Sequence, residues 1–239
     1  MNEESSIRFL LESVFKQTEV DVEIVVVDGG STDNTVSIAK SFGATVIVKE
    51  GLGEFPSRNI GAEQANGDIL LFSCADVVFP SDLLEKVNEN FRDNQLVAMT
   101  GPDVPTASTL ARIEYGGYNF LRWIFCTFPG RKKFSTSTNF LAVKKTYFEK
   151  TGGFIPDING DGLMGGKLTE LGRVKFSNNA KVFISARRFQ KMGFFKFSTH
   201  YFYVIENFLP ILRKTSLLKI LKKRSGEVHS KMRLSNRIS

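Results

Sequence analysis

Residues 23–43 read Glu-Ile-Val-Val-Val-Asp-Gly-Gly-Ser-Thr-Asp-Asn-Thr-Val-Ser-Ile-Ala-Lys-Ser-Phe-Gly. Ile24 to Val27 form a short β-branched run, which suits a strand buried on both faces. The run ends in a carboxylate, Asp28. Gly29 and Gly30 let the backbone turn tightly and come close to a ligand. Ser31 to Asp33 supply helix-capping side chains, and the helix they open runs to Phe42, with Gly43 as its stop. A strand, a polar turn and a helix make one βα unit, and in open α/β sheets ligands bind outside the carboxyl ends of the strands.

The pattern repeats outward from this unit. Ile7, Leu10, Leu11, Val14 and Phe15 have helical spacing, so residues 3–17 read as an amphipathic helix. Thr45–Val48 reads as a strand. Pro56 is expected to open a helix at its first position, running through Ala65. Asn66-Gly67 breaks that helix, and Ile69–Ser73 is the next strand, leading into Cys74-Ala75-Asp76. A helix from about Asp82 to Phe91 and a strand over Leu96–Thr100 complete the regular part. This alternation predicts a mostly parallel, doubly wound α/β sheet with helices on both faces. Beyond Gly101-Pro102 the pattern loosens. Residues 110–128 are rich in aromatics, and Phe140–Val143 and Val182–Ser185 read as strands.

The chain has 239 residues, enough for one large α/β domain with a tail. Its net charge of +7 is unevenly distributed. From Arg187 onward 13 Lys+Arg face only Glu206 and Glu227, giving +11 and leaving −4 for residues 1–186. Cys74 and Cys126 are the only cysteines, too few for a disulfide framework, so a reduced, cytoplasmic chain is expected. No signal-peptide pattern and no apolar run of about 18 residues is seen. No zinc-ligand spacing, helix-turn-helix or RNA-binding signature accompanies the basic tail, so nucleic acid is not the expected partner.

The run from Ile24 to Phe42 resembles the nucleotide-binding segment of family 2 glycosyltransferases, which have the GT-A fold, a Rossmann-like doubly wound sheet. Their Asp-Asp-Gly-Ser-x-Asp appears here as Asp28-Gly29-Gly30-Ser31-Thr32-Asp33, with Gly29 where a second Asp is common. Pro56-Ser57-Arg58-Asn59-Ile60-Gly61 resembles the family's Ala-Arg-Asn-x-Gly. Cys74-Ala75-Asp76 stands where the family has Asp-x-Asp. Thr151-Gly152-Gly153-Phe154 resembles its Gly-Gly-Phe turn, and Leu168 to Gly172 resembles the end of the helix that follows. The resemblance covers residues 2–190. It implies a catalytic GT-A domain over 1–190, with a nucleotide-binding half at about 1–101 and an acceptor half at about 102–190, followed by a basic, aromatic tail over 191–239.

The resemblance also implies roles. Asp28 would meet the base edge of a nucleotide-sugar, and Arg58 would lie close to the same nucleotide. Arg187 and Arg188 would clamp the leaving diphosphate. Asp76 would bridge a divalent metal, Mg²⁺ or Mn²⁺, to the phosphates, since magnesium takes one or two carboxylates plus phosphates and water. Cys74 is a poor ligand for a hard ion and reads as a small buried residue at a strand end. Asp161 would be the general base that takes the acceptor hydroxyl's proton in an inverting displacement, with Asp157 as its rival. Asp33 reads equally as a helix-start residue. The family's first strand precedes its first helix, and here Met1-Asn2-Glu3-Glu4 falls where the turn after that strand ends. The expectation is a start upstream of Met1.

Residues 194–224 combine aromatics with Lys/Arg, which suits an interfacial helix on an anionic membrane surface. A lipid-linked or cell-envelope acceptor, and a place on the inner face of the cell membrane, would follow. The second reading is a non-catalytic nucleotide-sugar-binding or scaffold protein, favoured by Cys74 and by Gly160 where the family has Glu.

Overall fold

The computed structural model describes residues 1–17, 20–106, 109–127, 136–156 and 160–193, apart from the side chains of Arg188, Lys191 and Met192. In chain order the elements are α1 (Glu4–Phe15), β1 (Val25–Asp28), α2 (Thr35–Ser41), β2 (Thr45–Val48), α3 (Glu54–Gln64), β3 (Ile69–Phe72), β4 (Val77–Val78), α4 (Leu83–Phe91), β5 (Leu96–Thr100), β6 (Asp103–Pro105), α5 (Thr109–Thr127), β7 (Leu141–Lys144), α6 (Lys145–Lys150), α7 (Gly160–Leu171), β8 (Arg173–Phe176), β9 (Val182–Ile184) and α8 (Arg187–Met192).

The central sheet has the order β3-β7-β5-β8. Its side chains alternate between two cores, as a strand's period of two requires. Ile69, Leu71, Met99, Phe140 and Ala142 face the core shared with α4 and α5. Leu70, Phe72, Ala98, Leu141 and Val143 face the core shared with α3, α6 and α7. Helices therefore cover both faces, as a doubly wound sheet requires. Both cores draw on residues from either side of residue 101, so the two stretches of chain pack as one body.

The sheet differs from the sequence reading in direction. β5 and β8 run parallel, but β7 inserts antiparallel to both β3 and β5. The reason is local: β7 does not follow a crossover helix from β3 but enters from the opposite end. A smaller sheet, β4-β9-β6, packs on the carboxyl-end side, with β9 parallel to β6 and antiparallel to β4.

β1 and β2 form a separate parallel pair. Ile7 and Leu11 of α1 pack with Ala39 of α2 and with Ile24, Val26 and Val46 into a third, smaller core. Among the described residues no strand joins this pair to the central sheet. The free edges of β1 and β3 start at one anchor, where the Asn66 backbone and side-chain amides donate to the Glu23 carboxylate at 2.7 and 2.9 Å. Val25 to Val27 are accordingly only half-buried, less than a central parallel strand would be.

Most element boundaries agree with the sequence reading. α2 stops before Gly43, whose φ of +72° is the left-handed conformation that glycine adopts without strain. α3 begins at Glu54 rather than Pro56. Pro56 still lies in the first turn, where its missing N–H would have had no helical partner. Residues 110–128, read from sequence only as rich in aromatics, lie largely in one 19-residue helix, α5. The expected interfacial segment at 194–224 lies outside the described residues.

Candidate functional site

Of the polar residues singled out by sequence, Asp28 ends β1, Asp76 follows β3 and Arg187 follows β9, all at the carboxyl ends of their strands. Antiparallel β7 contributes the segment leading into it, Thr136–Asn139, at the same end.

At the end of β1, the Asp28 carboxylate turns into its own loop. One oxygen accepts from the Gly30 and Ser31 amides at 2.8 and 2.6 Å, and the other accepts from the Ser31 hydroxyl at 2.5 Å. Burial works against its charge, but the Ser31 and Gly30 hydrogen bonds outweigh it and hold the carboxyl below its usual range. Asp28 thus shapes the turn first, and a nucleobase would meet only its remaining lone pairs.

Asp33 joins two helix starts. It accepts from the Thr35 amide and hydroxyl at the start of α2, and from the Glu4 amide at the start of α1. The residues before α1 answer in kind. The Asn2 amide donates to the Ser31 hydroxyl, the Thr32 amide to the Asn2 side chain, the Glu3 amide to the Thr35 hydroxyl, and the Asn34 amide to Glu4. Residues 2–4 are therefore zipped onto the turn after β1.

The Glu3 side chain reaches the other way. It receives Arg187 Nη2 on both oxygens, at 2.7 and 2.9 Å, and the same nitrogen lies 3.5 Å from Asp76 Oδ2. Arg187, at the start of α8, thus bridges the metal candidate Asp76 to Glu3. These carboxylates hold the guanidinium above its usual range, the Glu3 hydrogen bond foremost. Sequence reasoning missed Glu3 as a site residue, although it stands where the resemblance placed the end of the turn after the family's first strand.

Arg58 sits deeper and is spent on the protein. Nη1 donates to the Ser73 carbonyl at 2.9 Å, while Nη2 donates to Glu54 at 2.9 Å, to Cys74 Sγ at 3.2 Å and to the Thr138 carbonyl at 3.4 Å. Burial pushes the Cys74 thiol up to about 11, so it stays neutral at physiological pH. The neighbouring Asn59 clasps the Gly-Gly-Phe turn, donating to the Phe154 carbonyl and accepting from its amide. Gly153, at φ +78°, has no room for a side chain: a Cβ there would lie 2.7 Å from the Asn59 carboxamide oxygen. Two motifs noted separately in the sequence are one interlocked unit.

Asp161 lies in the first turn of α7. Its carboxylate accepts from the Gly162 amide at 2.8 Å, and its carbonyl accepts from the Thr136 hydroxyl at 2.5 Å. Burial raises its carboxyl to about 6, with Glu54 adding to the rise and Arg122 and Arg58 opposing it. A carboxylate poised there can take a proton near neutral pH. Asp157 lies outside the described residues, as does the Arg188 side chain.

One buried pair was not anticipated. Arg122 of α5 and Asp103 of β6 are both fully buried, 3.4 Å apart. Asp103 also accepts from the Ser137 hydroxyl and from the Asn139 side-chain Nδ2 at 2.9 Å each. Arg122 donates to the Thr100 hydroxyl and lies over the Tyr118 and Phe176 rings. The pair anchors the segment that carries Thr136 to Asp161.

Among the described residues no group of three or more His, Cys, Asp or Glu side chains could hold a metal unaided. The Asp76 carboxylate, with Arg187 beside it, could offer oxygen ligands. That suits a hard ion arriving with a diphosphate, which would complete its oxygen shell.

Comparison with known proteins fits this geometry. The family described as glycosyl transferase family 2 matches residues 1–150. A PGL/p-HBAD biosynthesis glycosyltransferase of Mycobacterium bovis (strain BCG / Pasteur 1173P2) is 34% identical over 114 residues, covering 45% of this chain and 44% of the relative. A Haemophilus influenzae glycosyltransferase is 37% identical over 95 residues, covering 39% of this chain and 32% of the relative. The chain thus spans less than half the length of these relatives. Among solved structures, the mannosyltransferase PcManGT from Pyrobaculum calidifontis, in complex with GDP-Man and Mn²⁺, superposes with a TM-score of 0.67 at 20% identity, covering 94% of this chain and 66% of that one. S. aureus TarS 1-349 in complex with UDP-GlcNAc gives 0.60 at 18% identity, covering 77% and 56%. These likenesses show the fold. With the family matched across more than half of its length, the chain belongs to glycosyl transferase family 2 and carries the GT-A architecture.

Proposed function

We propose that the chain transfers a sugar from a nucleotide-diphosphate sugar to an acceptor hydroxyl, with inversion at the anomeric carbon. The observation that carries this reading is Asp161. Burial raises its carboxyl to about 6, and the charges that act on it include Arg58, which is hydrogen-bonded at the Ser73–Cys74 strand end leading to Asp76. Asp161 takes the acceptor hydroxyl's proton as that oxygen attacks the anomeric carbon. The bond to the diphosphate oxygen breaks on the opposite side, and its electron pair leaves with the nucleoside diphosphate. Arg187 meets the charge that grows on that leaving group. A divalent cation, Mg²⁺ or Mn²⁺, held by Asp76 would supply electrostatic neutralisation of the phosphates. The Mn²⁺ and GDP-Man in the PcManGT structure support both the donor class and the ion. Asp28 fixes the turn over which the base would lie, and Arg58 fixes the strand end that carries Asp76. The acceptor proposed is lipid-linked or part of the cell envelope, met at the inner face of the cell membrane.

The test is a panel of GDP- and UDP-sugars with Mn²⁺, read by calorimetry for binding and by nucleoside diphosphate release for turnover. Asp161→Asn should leave donor binding within about twofold and lower release about a hundredfold or more. Binding with no release in either protein would instead favour the second reading, a non-catalytic nucleotide-sugar-binding scaffold. The Cys74 and Gly160 departures from the family pattern favour that reading.

A further inference from the structure

Glu54 and Asp161 lie in the first turns of two different helices, α3 and α7. Two ties bring those turns together. The Phe55 ring packs on Gly160 so closely that a Cβ there would lie 2.7 Å from a ring carbon, and the ring is held in turn by stacking on Phe154. Glu54 and Asp161 are each one residue from that contact, a step of about 3.8 Å along the backbone. The second tie is the segment before β7. The Thr138 hydroxyl donates to Glu54 Oε1 at 3.0 Å, and the Thr136 hydroxyl donates to the Asp161 carbonyl at 2.5 Å. Both threonines are buried, so one fixed segment holds both acidic residues.

We propose that Glu54 is a positioning residue for Asp161, its charge keeping the proton on the Asp161 carboxyl until the pH approaches neutrality. Like charges in a poorly solvated site oppose each other's ionisation. Arg58 Nη2 donates to Glu54 at 2.9 Å, but the same nitrogen also serves Cys74 and Thr138, so this guanidinium is shared. The groups that face Asp161 come from two helices. From α3, Glu54 opposes its ionisation and Arg58 favours it; from α5, Arg122 favours it, and the Tyr118 phenol beside Arg122 stays protonated. Burial acts most strongly on Asp161 and Glu54 next, in the same direction. Arg122 is already engaged by Asp103, which weakens its pull on Asp161. The catalytic consequence rests on the proposed role of Asp161 as base. A carboxylate that holds its proton more tightly is the stronger base once ionised, so Glu54 would raise both the strength of the base and the lower pH limit of turnover.

The test separates charge from shape. Glu54→Gln removes the charge and keeps an oxygen for Thr138 and Arg58, whereas Glu54→Asp keeps the charge. Glu54 is 49% exposed at a helix start, so both variants should fold, which circular dichroism checks. Full-length protein without donor or metal is titrated by carboxyl carbon NMR, with the Asp161 signal assigned by its loss in Asp161→Asn. In Glu54→Gln the Asp161 midpoint should fall by about half a unit to one unit, the effect being limited by the water that screens Glu54. In Glu54→Asp it should stay closer to that of the unsubstituted protein. A midpoint unmoved in Glu54→Gln would overturn the proposal. An equal fall in both variants would overturn it too, because shape rather than charge would then be the cause. Nucleoside diphosphate release tests the base separately. Its acid limb should follow the NMR midpoint to lower pH in Glu54→Gln. A limb that stays in place while the midpoint moves would remove Asp161 as the base and leave its coupling to Glu54 standing.

Discussion

Arg187 Nη2 contacts both carboxylate oxygens of Glu3, at 2.7 and 2.9 Å, across a sequence separation of 184 residues. The same nitrogen lies 3.5 Å from Asp76. Before a donor arrives, the cation proposed to clamp the diphosphate is therefore already neutralised by two carboxylates. A diphosphate that takes this nitrogen of Arg187 must displace Glu3 from it.

Glu3→Gln is accordingly expected to tighten binding of GDP or UDP. The pair is partly exposed, so the gain is modest, about two- to fivefold. The Glu3 amide still donates to Thr35, so the zipped turn is kept. Calorimetry with the nucleoside diphosphate and Mn²⁺ checks this. Weaker binding would instead make Glu3 the residue that holds Arg187 in place for the ligand.

Arg58→Lys is expected to destabilise the fold by about 2–4 kcal/mol. Lysine carries one nitrogen where arginine reaches Ser73, Glu54, Cys74 and Thr138 from two, and the lost partners are part-buried. Urea denaturation reads the change as a lower midpoint with an unaltered slope. Unchanged stability with weaker nucleotide binding would return Arg58 to the ligand.

Some of this was legible in the sequence and some was not. The β1 turn announced itself because Asp28, Gly29 and Gly30 act on their immediate neighbours, and local hydrogen bonds depend on local sequence. Asp161 was found only by its distance from the Leu168-to-Gly172 ending. Its raised carboxyl comes from burial that sequence cannot show. α5 was hidden because its two apolar faces blur the single stripe by which helices are read. The Arg122–Asp103 pair spans 19 residues, and Glu3–Arg187 spans the domain, so neither leaves a spacing signal. The direction of β7 was equally silent, since a strand buried on both faces carries the same apolar pattern either way up.

Cys74→Asp is expected to strengthen Mn²⁺-dependent donor binding by about tenfold. The thiol is neutral and soft, whereas a carboxylate would pair with Arg58 and add hard oxygen beside Asp76. The informative measurement is the Mn²⁺ concentration needed for half-maximal donor binding. If it does not fall, position 74 faces the protein rather than the ion.

Asp161 links activity and stability to pH in opposite ways. As the base it must be ionised, so kcat/KM should fall below about pH 6, the value to which burial raises it. For stability, the folded carboxyl binds its proton more tightly than the unfolded one, whose ordinary value is 3.8. Between roughly pH 4 and pH 6 the native state therefore holds more protons, and stability declines as pH rises through that window. The decline amounts to about 3 kcal/mol at most, from a displacement of about two units. Asp161→Asn cannot ionise, so it should flatten the decline and raise the Tm at pH 7 while abolishing turnover. Thermal melts of both proteins from pH 4 to pH 8 check this. Parallel pH profiles would show that the Asp161 carboxyl is solvated in the folded protein and would remove the ground for its role as base.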